Sequence, residues 1–539
     1  MLPRVFLPSL VTFLVLFATA GCGKKEAKPS ASAADSAKIL LFGNGSEPQD
    51  IDPQIVTGVP ENKVINAFFE GLVSYGPQDQ DTVGGVAERW DISADALTYT
   101  FHLRADARWS NGDPVTAHDF VRSYQRILSP ALAAEYAYKF NAVVGAEEFR
   151  RGDLTDFSQV GFKAIDNRTL EVRLKHRVPY LIEAMKHYAW FPVHLPTIEK
   201  HGGGTRRGTA WTRQENFVGN GPFVLKSWKP NQVIVAERSP TYWDRDNVKL
   251  DAIHFFPTEN LETEERMFRT GQLHKTYELP AAKIDVYQRD FPESYRSDTY
   301  YGSYYFRFNV TRKPLDDVRV RRALSIAIDR ESLARNVVRG GMQPAYGMAP
   351  PTAKFTARAK LGGDVAEARR LLAEAGYPEG RGFPRIELLY NTQDNHRRVC
   401  EALQEMWRQN LGIEVGLVNQ EWKVYLRSMD VLDYDMARGG WIGDYNDPHT
   451  FYDTFITGGG NNRTGWSNAR YDQLLRDTGF AADEKARMEL YQQMEEIIVE
   501  ELPIMPVYFY RKVYALSPKV VWPPNPLDNQ NWKYVYFRE

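Results

Sequence analysis

Residues 85–127 read GVAERWDISADALTYTFHLRADARWSNGDPVTAHDFVRSYQRI. Leu97, Tyr99, Phe101 and Leu103 alternate with polar residues, the period of a strand that buries one face. Asn111-Gly112-Asp113-Pro114 predicts a turn. Thr116 and Asp119 then stand at capping-box spacing, with Asp in the usual place of Glu, and Phe120, Val121, Tyr124, Ile127 and Leu128 give the following helix one apolar face. Strand, turn and amphipathic helix follow one another within about forty residues, which sets the expectation of a mixed architecture.

The pattern recurs further along. Asp364 and Glu367 have capping-box-like spacing before a helix whose Leu371, Leu372 and Ala375 face inward, and Gly376 with Pro378 ends it. The strand Ile386 to Tyr390, a helix through HRRVCEALQEMWRQNLG (residues 396–412) and the strand Ile413 to Val418 predict one strand-helix-strand unit with a right-handed crossover. Near the end, Ala482 to Leu502 predicts a long helix. Ile504 to Tyr510 predicts a strand that carries the chain back to its first lobe. Strands and helices are intermingled and no fixed-period repeat is present, so the fold class is α/β.

With 539 residues the chain exceeds what one hydrophobic core supports, and two or three lobes are expected. It carries a net charge of -2, so it lacks the basic excess that phosphate neutralisation needs, and nucleic acid is excluded as a partner. Aromatic residues make up 13%, which suits a protein that presents flat amphipathic surfaces to a ligand and equally an aromatic core. Only Cys22 and Cys400 occur. A structural disulfide is thereby set aside. Cys400 lies on the apolar stripe of Val399, Leu403, Met406 and Trp407, where a buried inert thiol is expected.

The first 22 residues join Arg4, an apolar run from Val5 to Phe17 and the small residues Ala18-Thr19-Ala20-Gly21 before Cys22. They predict a secretory signal that is too short to span a membrane. Small residues directly before a lone cysteine resemble a lipobox, which implies two acyl chains on Cys22 and stable anchoring. KKEAKPSASAADSAK (residues 24–38) predicts a flexible tether.

Enzyme signatures are missing from the sequence: there is no HExxH, GxSxG, CxxC or GxxxxGK[ST], and His201-Gly202-Gly203-Gly204-Thr205 lacks the lysine that a phosphate loop needs. The ten histidines are scattered, so neither a metal nor a cofactor is expected. What stands out is Arg438-Gly439-Gly440-Trp441-Ile442-Gly443-Asp444-Tyr445-Asn446-Asp447-Pro448, which follows a predicted strand from Tyr434 to Ala437. Glycines allow close backbone approach, and two aromatics frame one aspartate. On these residues alone an Asx-type turn capped by Asp444 competes with a cation-binding carboxylate.

Residues 85–127 resemble the signature region of the peptide- and nickel-binding class of ABC-transporter solute receptors. Residues 220–244 (NGPFVLKSWKPNQVIVAERSPTYWD), 314–330 (PLDDVRVRRALSIAIDR), 418–426 (VNQEWKVYL) and the Asp444 segment are similar, in order, to periplasmic oligopeptide-binding receptors. The resemblance runs from about Asn44 to the C-terminus. It implies a class II periplasmic-binding-protein fold, two hinged lobes plus a smaller one. By that likeness residues 1–22 are the signal, 23–38 the tether, 39–69 with 194–301 and 512–539 lobe I, 70–193 the smaller lobe II and 302–511 lobe III. It also implies a monomeric, non-enzymatic, periplasmic or cell-envelope receptor that takes extended short peptides by main-chain pairing and delivers them to the permease and ATPase subunits of an importer. Its membrane contact would be the lipid on Cys22.

Carried over by resemblance, Asp444 pairs with a peptide's α-amino group, Trp441 and Trp422 are pocket walls, and Tyr136 is a contact from the smaller lobe. Val59, Tyr305 and Gly440 line the ligand, while Arg438 and His396 are cations for the peptide carboxylate. Three departures stand out. Met429 replaces a carboxylate-receiving arginine, Arg307 replaces a glutamate, and Gly302 with Ile442 replaces a cysteine pair. If the Arg307 side chain reaches the pocket, acidic peptide side chains are favoured over lysine. A receptor for murein peptides or another small solute, a secreted peptidase and a peptide-sensing receptor without transport are the competing readings.

Overall fold

The computed structural model describes residues 35, 37–77, 82–523 and 525–538. The signal segment, Cys22 and most of the tether lie outside them.

The segment quoted first folds as expected. Ala87–Ile92 and Thr98–Leu103 pair antiparallel, with Tyr99, Phe101 and Leu103 buried, and Thr116 opens the helix Ala117–Leu128. Asp119 Oδ2 accepts the Thr116 N–H at 2.8 Å, closing the capping box. Phe120, Tyr124, Ile127 and Leu128 are fully buried, so the 3.6-residue period had found the packed face. Thr169–Arg173 and Phe162–Asp166 complete a four-stranded antiparallel sheet. Helix Ala117–Leu128 is tied to the N-terminal region by Arg126, whose guanidinium grips Asp52 at 2.7 and 3.1 Å with both side chains buried.

A second four-stranded sheet holds, in order, Ile39–Gly43, Ala252–Phe256, Val233–Arg238 and Phe223–Lys229. The third sheet has six strands, in the order Gln343–Pro344, Ile504–Ala515, Tyr295–Phe308, Met436–Ile442, Ile386–Asn391 and Val415–Gln420. Its last two are parallel and joined by the helix Asp394–Leu411, the strand-helix-strand unit read from sequence, with the second strand starting two residues later than expected. Cys400 is completely buried on that helix beside Leu403 and Trp407, and burial pushes its thiol well up.

Two long strands carry the chain between the second and third sheets. Tyr295–Phe308 and Ile504–Ala515 pair antiparallel, with a register irregularity between Thr299 and Ser303. The end of the latter reaches the second sheet, where Leu516 bridges Lys275 and Lys275 bridges Phe42. The strand from Ile504 is therefore five residues longer than the sequence pattern suggests, because its far half is paired at both ends. Among the described residues no helix is long and apolar enough to cross a membrane.

Candidate functional site

The strand Met436–Ile442 creates the site by being only half paired. One edge is matched along its length by Tyr295–Phe308, but the other meets Ile386–Asn391 only at Met436 and Ala437. At Arg438 the second side is capped by the Tyr425 hydroxyl, which donates to the Arg438 carbonyl, and beyond it the edge opens on a cavity of about 1480 Å³, its open mouth included, walled by all three sheet regions. Of the residues expected at a ligand, Val59, Tyr136, Arg307, His396, Trp422, Arg438, Gly440, Trp441 and Asp444 line it. Tyr305 does not. It is fully buried behind the wall, where its hydroxyl accepts the Arg307 Nη2–H at 3.0 Å.

At one end Asp444 is held by groups that sequence reasoning missed. Lys139 Nζ lies 2.5 Å from Asp444 Oδ2 and 3.8 Å from Asp453 Oδ2, surrounded by the rings of Tyr136, Tyr138 and Tyr445 at 5.1 to 5.5 Å. His187 Nδ1 accepts the Ala189 N–H at 3.2 Å, which leaves the proton on Nε2, facing Asp444 Oδ1 at 3.4 Å. Burial takes the His187 pKa down to about 4, so this imidazole is neutral at pH 7. Two carboxylates and one ammonium leave the cluster one net negative charge. The only sequence trace of Lys139 is its place among aromatics in Tyr136-Ala137-Tyr138-Lys139-Phe140, and nothing local points to a partner 305 residues away.

At the other end Arg438 Nη2 donates to the Tyr510 hydroxyl at 2.7 Å, and its guanidinium lies 4.9 Å from the centre of the Tyr304 ring. Trp422 closes the side wall. Its indole N–H donates to Glu61 Oε1 at 3.1 Å, and it stacks on Tyr425. Glu61 is completely buried, and desolvation raises its pKa to about 7.

A half-paired edge bounded by opposite charges suits an extended ligand, and comparison with known proteins agrees. The family model of bacterial extracellular solute-binding proteins, family 5 (middle region), matches residues 81–463. The chain belongs to this family. The periplasmic oligopeptide-binding protein OppA of Escherichia coli K12 is 37% identical over 511 residues, covering 93% of this chain and 92% of that protein. Haemophilus influenzae OppA in complex with RPPGFSPFR superposes with a TM-score of 0.87 at 33% identity, covering 93% of this chain and 99% of that one. The murein tripeptide binding protein MppA of E. coli gives the same TM-score at 33% identity, covering 93% and 98%. Its unliganded open form, at 32% identity and covering 93% and 97%, gives 0.61. The family-5 chain thus has the multi-domain class II fold, with its lobes disposed as in the peptide complex. Relatives in this family are binding receptors.

Two family-derived expectations change in this family-5 chain. His396 lines the cavity but is no cation, because burial and the nearby Arg438 guanidinium drive its pKa well below the usual imidazole value. Its Nδ1 faces the Tyr304 hydroxyl at 3.5 Å. Met429 does not line the cavity. It is fully buried among Leu389, Tyr425, Leu426, Tyr434 and Ala437, where an arginine would sit in an apolar cluster. Gly302 and Ile442 do stand directly opposite one another in register, and a Cβ on Gly302 would fall 2.4 Å from Ile442 Cδ1. The isoleucine fills the space between the two strands there.

Proposed function

We propose that this chain is the receptor of an ABC importer and captures short peptides in extended form for delivery to a membrane permease. The observation that carries the reading is the free edge from Gly440 to Ile442, which opens on the cavity with a net negative cluster at Asp444 and guanidinium groups at Arg438 and Arg307. An added peptide strand would pair with that edge through its main chain, so affinity depends little on side-chain identity. Arg438 and Asp444 are six residues apart and the strand ends at Ile442, so they are separated by at most about 20 Å, which less the reach of both side chains fits a peptide of about three to five residues.

Calorimetry with alanine peptides of two to five residues tests both parts. A dipeptide bound at Asp444 falls short of Arg438 and meets only the neutral His396, so it is expected to bind at least roughly tenfold more weakly than the tripeptide. Equal affinity for two and three residues refutes the length argument. Failure of every peptide to bind refutes the receptor reading itself.

In this reading residues 39–69, 194–301 and 512–539 form lobe I, 70–193 the smaller lobe and 302–511 lobe III. The boundaries at 301/302 and 511/512 fall inside the two long paired strands, close to the register irregularity at Thr299 and Ser303, where a hinge needs the least rearrangement. Anchoring through Cys22 belongs to the same proposal and rests on the lipobox-like sequence. A Cys22→Ser chain is expected to leave the membrane fraction once the signal is cleaved, and persistence there refutes the anchor.

A further inference from the structure

Among the described residues Arg307, Arg438 and Arg511 line the cavity without an ion pair, and the first two stand at the paired strands that bound the site. Arg438 finds the Tyr510 hydroxyl and, at 3.5 Å, Asn391 Oδ1, while its Nε is buried with no partner. Arg307 finds only the Tyr305 hydroxyl and the face of that ring, 5.0 Å away. Of the others, Arg463 lies 2.8 Å from Asp430 and Lys512 lies 3.3 Å from Asp528, while the Arg511 guanidinium is taken up by the hydroxyl and carbonyl of Ser297. Glu278, which burial pushes toward its protonated form, is one carboxylate in the field of both Lys512 and Arg438.

Register gives the two arginines a shared target. Arg307 pairs with Ala437 and Arg438 with Phe306, so alternation sends their side chains to opposite faces of the sheet at the same point along it. The free edge begins just beyond that point, since the Arg438 carbonyl accepts from the Tyr425 hydroxyl. Gly439 makes the approach of Arg307 possible, because a Cβ there would lie 2.5 Å from Arg307 Nη1 and 2.7 Å from Tyr305 Cε2. A strand added at this edge lies between the guanidinium groups, with successive side chains directed to alternate faces. Its terminal carboxylate can satisfy one of them and leaves the other without an anion. Leaving a guanidinium desolvated and unpaired is costly, and a second ligand carboxylate removes that cost.

We propose that the preferred ligands are acidic peptides, with a Glu or Asp side chain at or next to the carboxyl-terminal residue that pairs with Arg307 while the terminal carboxylate pairs with Arg438. Arg307 is then the specificity-determining residue of the site. The inference rests on the peptide-receptor reading above. The opposite end agrees with it, since Lys139 already offsets half of the negative charge there.

The test is calorimetry with alanine tetrapeptides carrying Glu, Gln or Lys at position three or four, on the wild type, Arg307→Gln and Arg307→Lys. In the wild type the better Glu peptide is expected to bind roughly tenfold to a hundredfold more tightly than its Gln counterpart, and Lys more weakly than Gln. Arg307→Gln should collapse the Glu-to-Gln ratio to within about threefold, and Arg307→Lys should keep part of it, as a point charge does in place of a fork. Equal binding of Glu and Gln peptides by the wild type overturns the inference and leaves the receptor reading intact, as does a preference that survives Arg307→Gln. Binding of none of the peptides overturns both.

Discussion

Asp444→Ala is expected to weaken tripeptide binding by about 2 to 5 kcal/mol, tens to thousands in affinity, because a buried charge loses its partner. Asp444 faces the cavity and accepts from Lys139 and His187. Removing it takes away the carboxylate that a ligand ammonium can reach and leaves Lys139 with Asp453 alone, so the cluster changes from one net negative charge to none. The same substitution cuts the two contacts by which Lys139 and His187 hold the segment that follows the strand Met436–Ile442. Small-angle scattering of the variant should accordingly report a more open particle than the wild type at the same peptide concentration. Wild-type affinity in Asp444→Ala would remove the aspartate from the amine end of the site.

The largest expected loss of stability comes from Asp528→Ala. Its Oδ2 is 3.0 Å from Lys63 Nζ and 3.3 Å from Lys512 Nζ, and Lys275 adds a third ammonium in the same field, over the rings of Tyr514 and Trp522. All three lysines are buried. The attraction holds Asp528 well below the usual carboxylate range, although burial alone would raise it. Deleting the carboxylate leaves three buried ammonium groups without it, at a cost of about 3 to 5 kcal/mol. This junction joins the helix Val59–Phe68, the end of the long strand Ile504–Ala515 and the C-terminal segment, so the loss falls where the two main sheets meet.

The pH dependence carries a definite sign. Burial lowers Lys63 to about 8 and Lys275 to about 7, below the ordinary lysine value of 10.5 that the unfolded chain shows. Between about pH 7 and 10 the unfolded state therefore binds more protons than the folded one, and these lysines make stability rise with pH. Without Asp528 both would titrate still lower, so the deficit of the variant relative to wild type should shrink from pH 7 to pH 9. Denaturant titrations at both pH values measure this. A variant as stable as wild type at pH 7, or a deficit that grows with pH, contradicts the assignment.

Much of the architecture is written in local sequence, because the signals are short-range. The alternation of Tyr99, Phe101 and Leu103, the Thr116–Asp119 box, and the helix through Cys400 with its flanking strands each depend on neighbours within a few positions. The Asp364 cap forms too, its side chain accepting the Glu367 N–H at 2.8 Å. Membership of the family was legible from the ordered motifs between residues 85 and 444. The extension of the Ile504 strand to Ala515 was not, since its second half has no clean alternation and is held by pairing with residues some two hundred positions earlier.

The site divides along the same line. Sequence by itself determined which residues were candidates, and nine of those ten side chains or backbones line one cavity. Only the tertiary structure decided their charge state and partners. Lys139 meets Asp444 across 305 residues and Glu61 meets Trp422 across 361, and no local pattern encodes either pairing. His396 matches a cationic position by likeness, although an ordinary imidazole is mostly neutral near pH 7, and burial beside Arg438 lowers its pKa further. Met429 read as a missing anchor, yet it packs inside an apolar cluster. Arg307 read as a departure whose side chain the sequence left unplaced, and register sets it across the free edge from Arg438. Residue type and spacing fix what a side chain can do, whereas its protonation and its partner depend on the dielectric and the charges that the fold brings around it from distant parts of the chain.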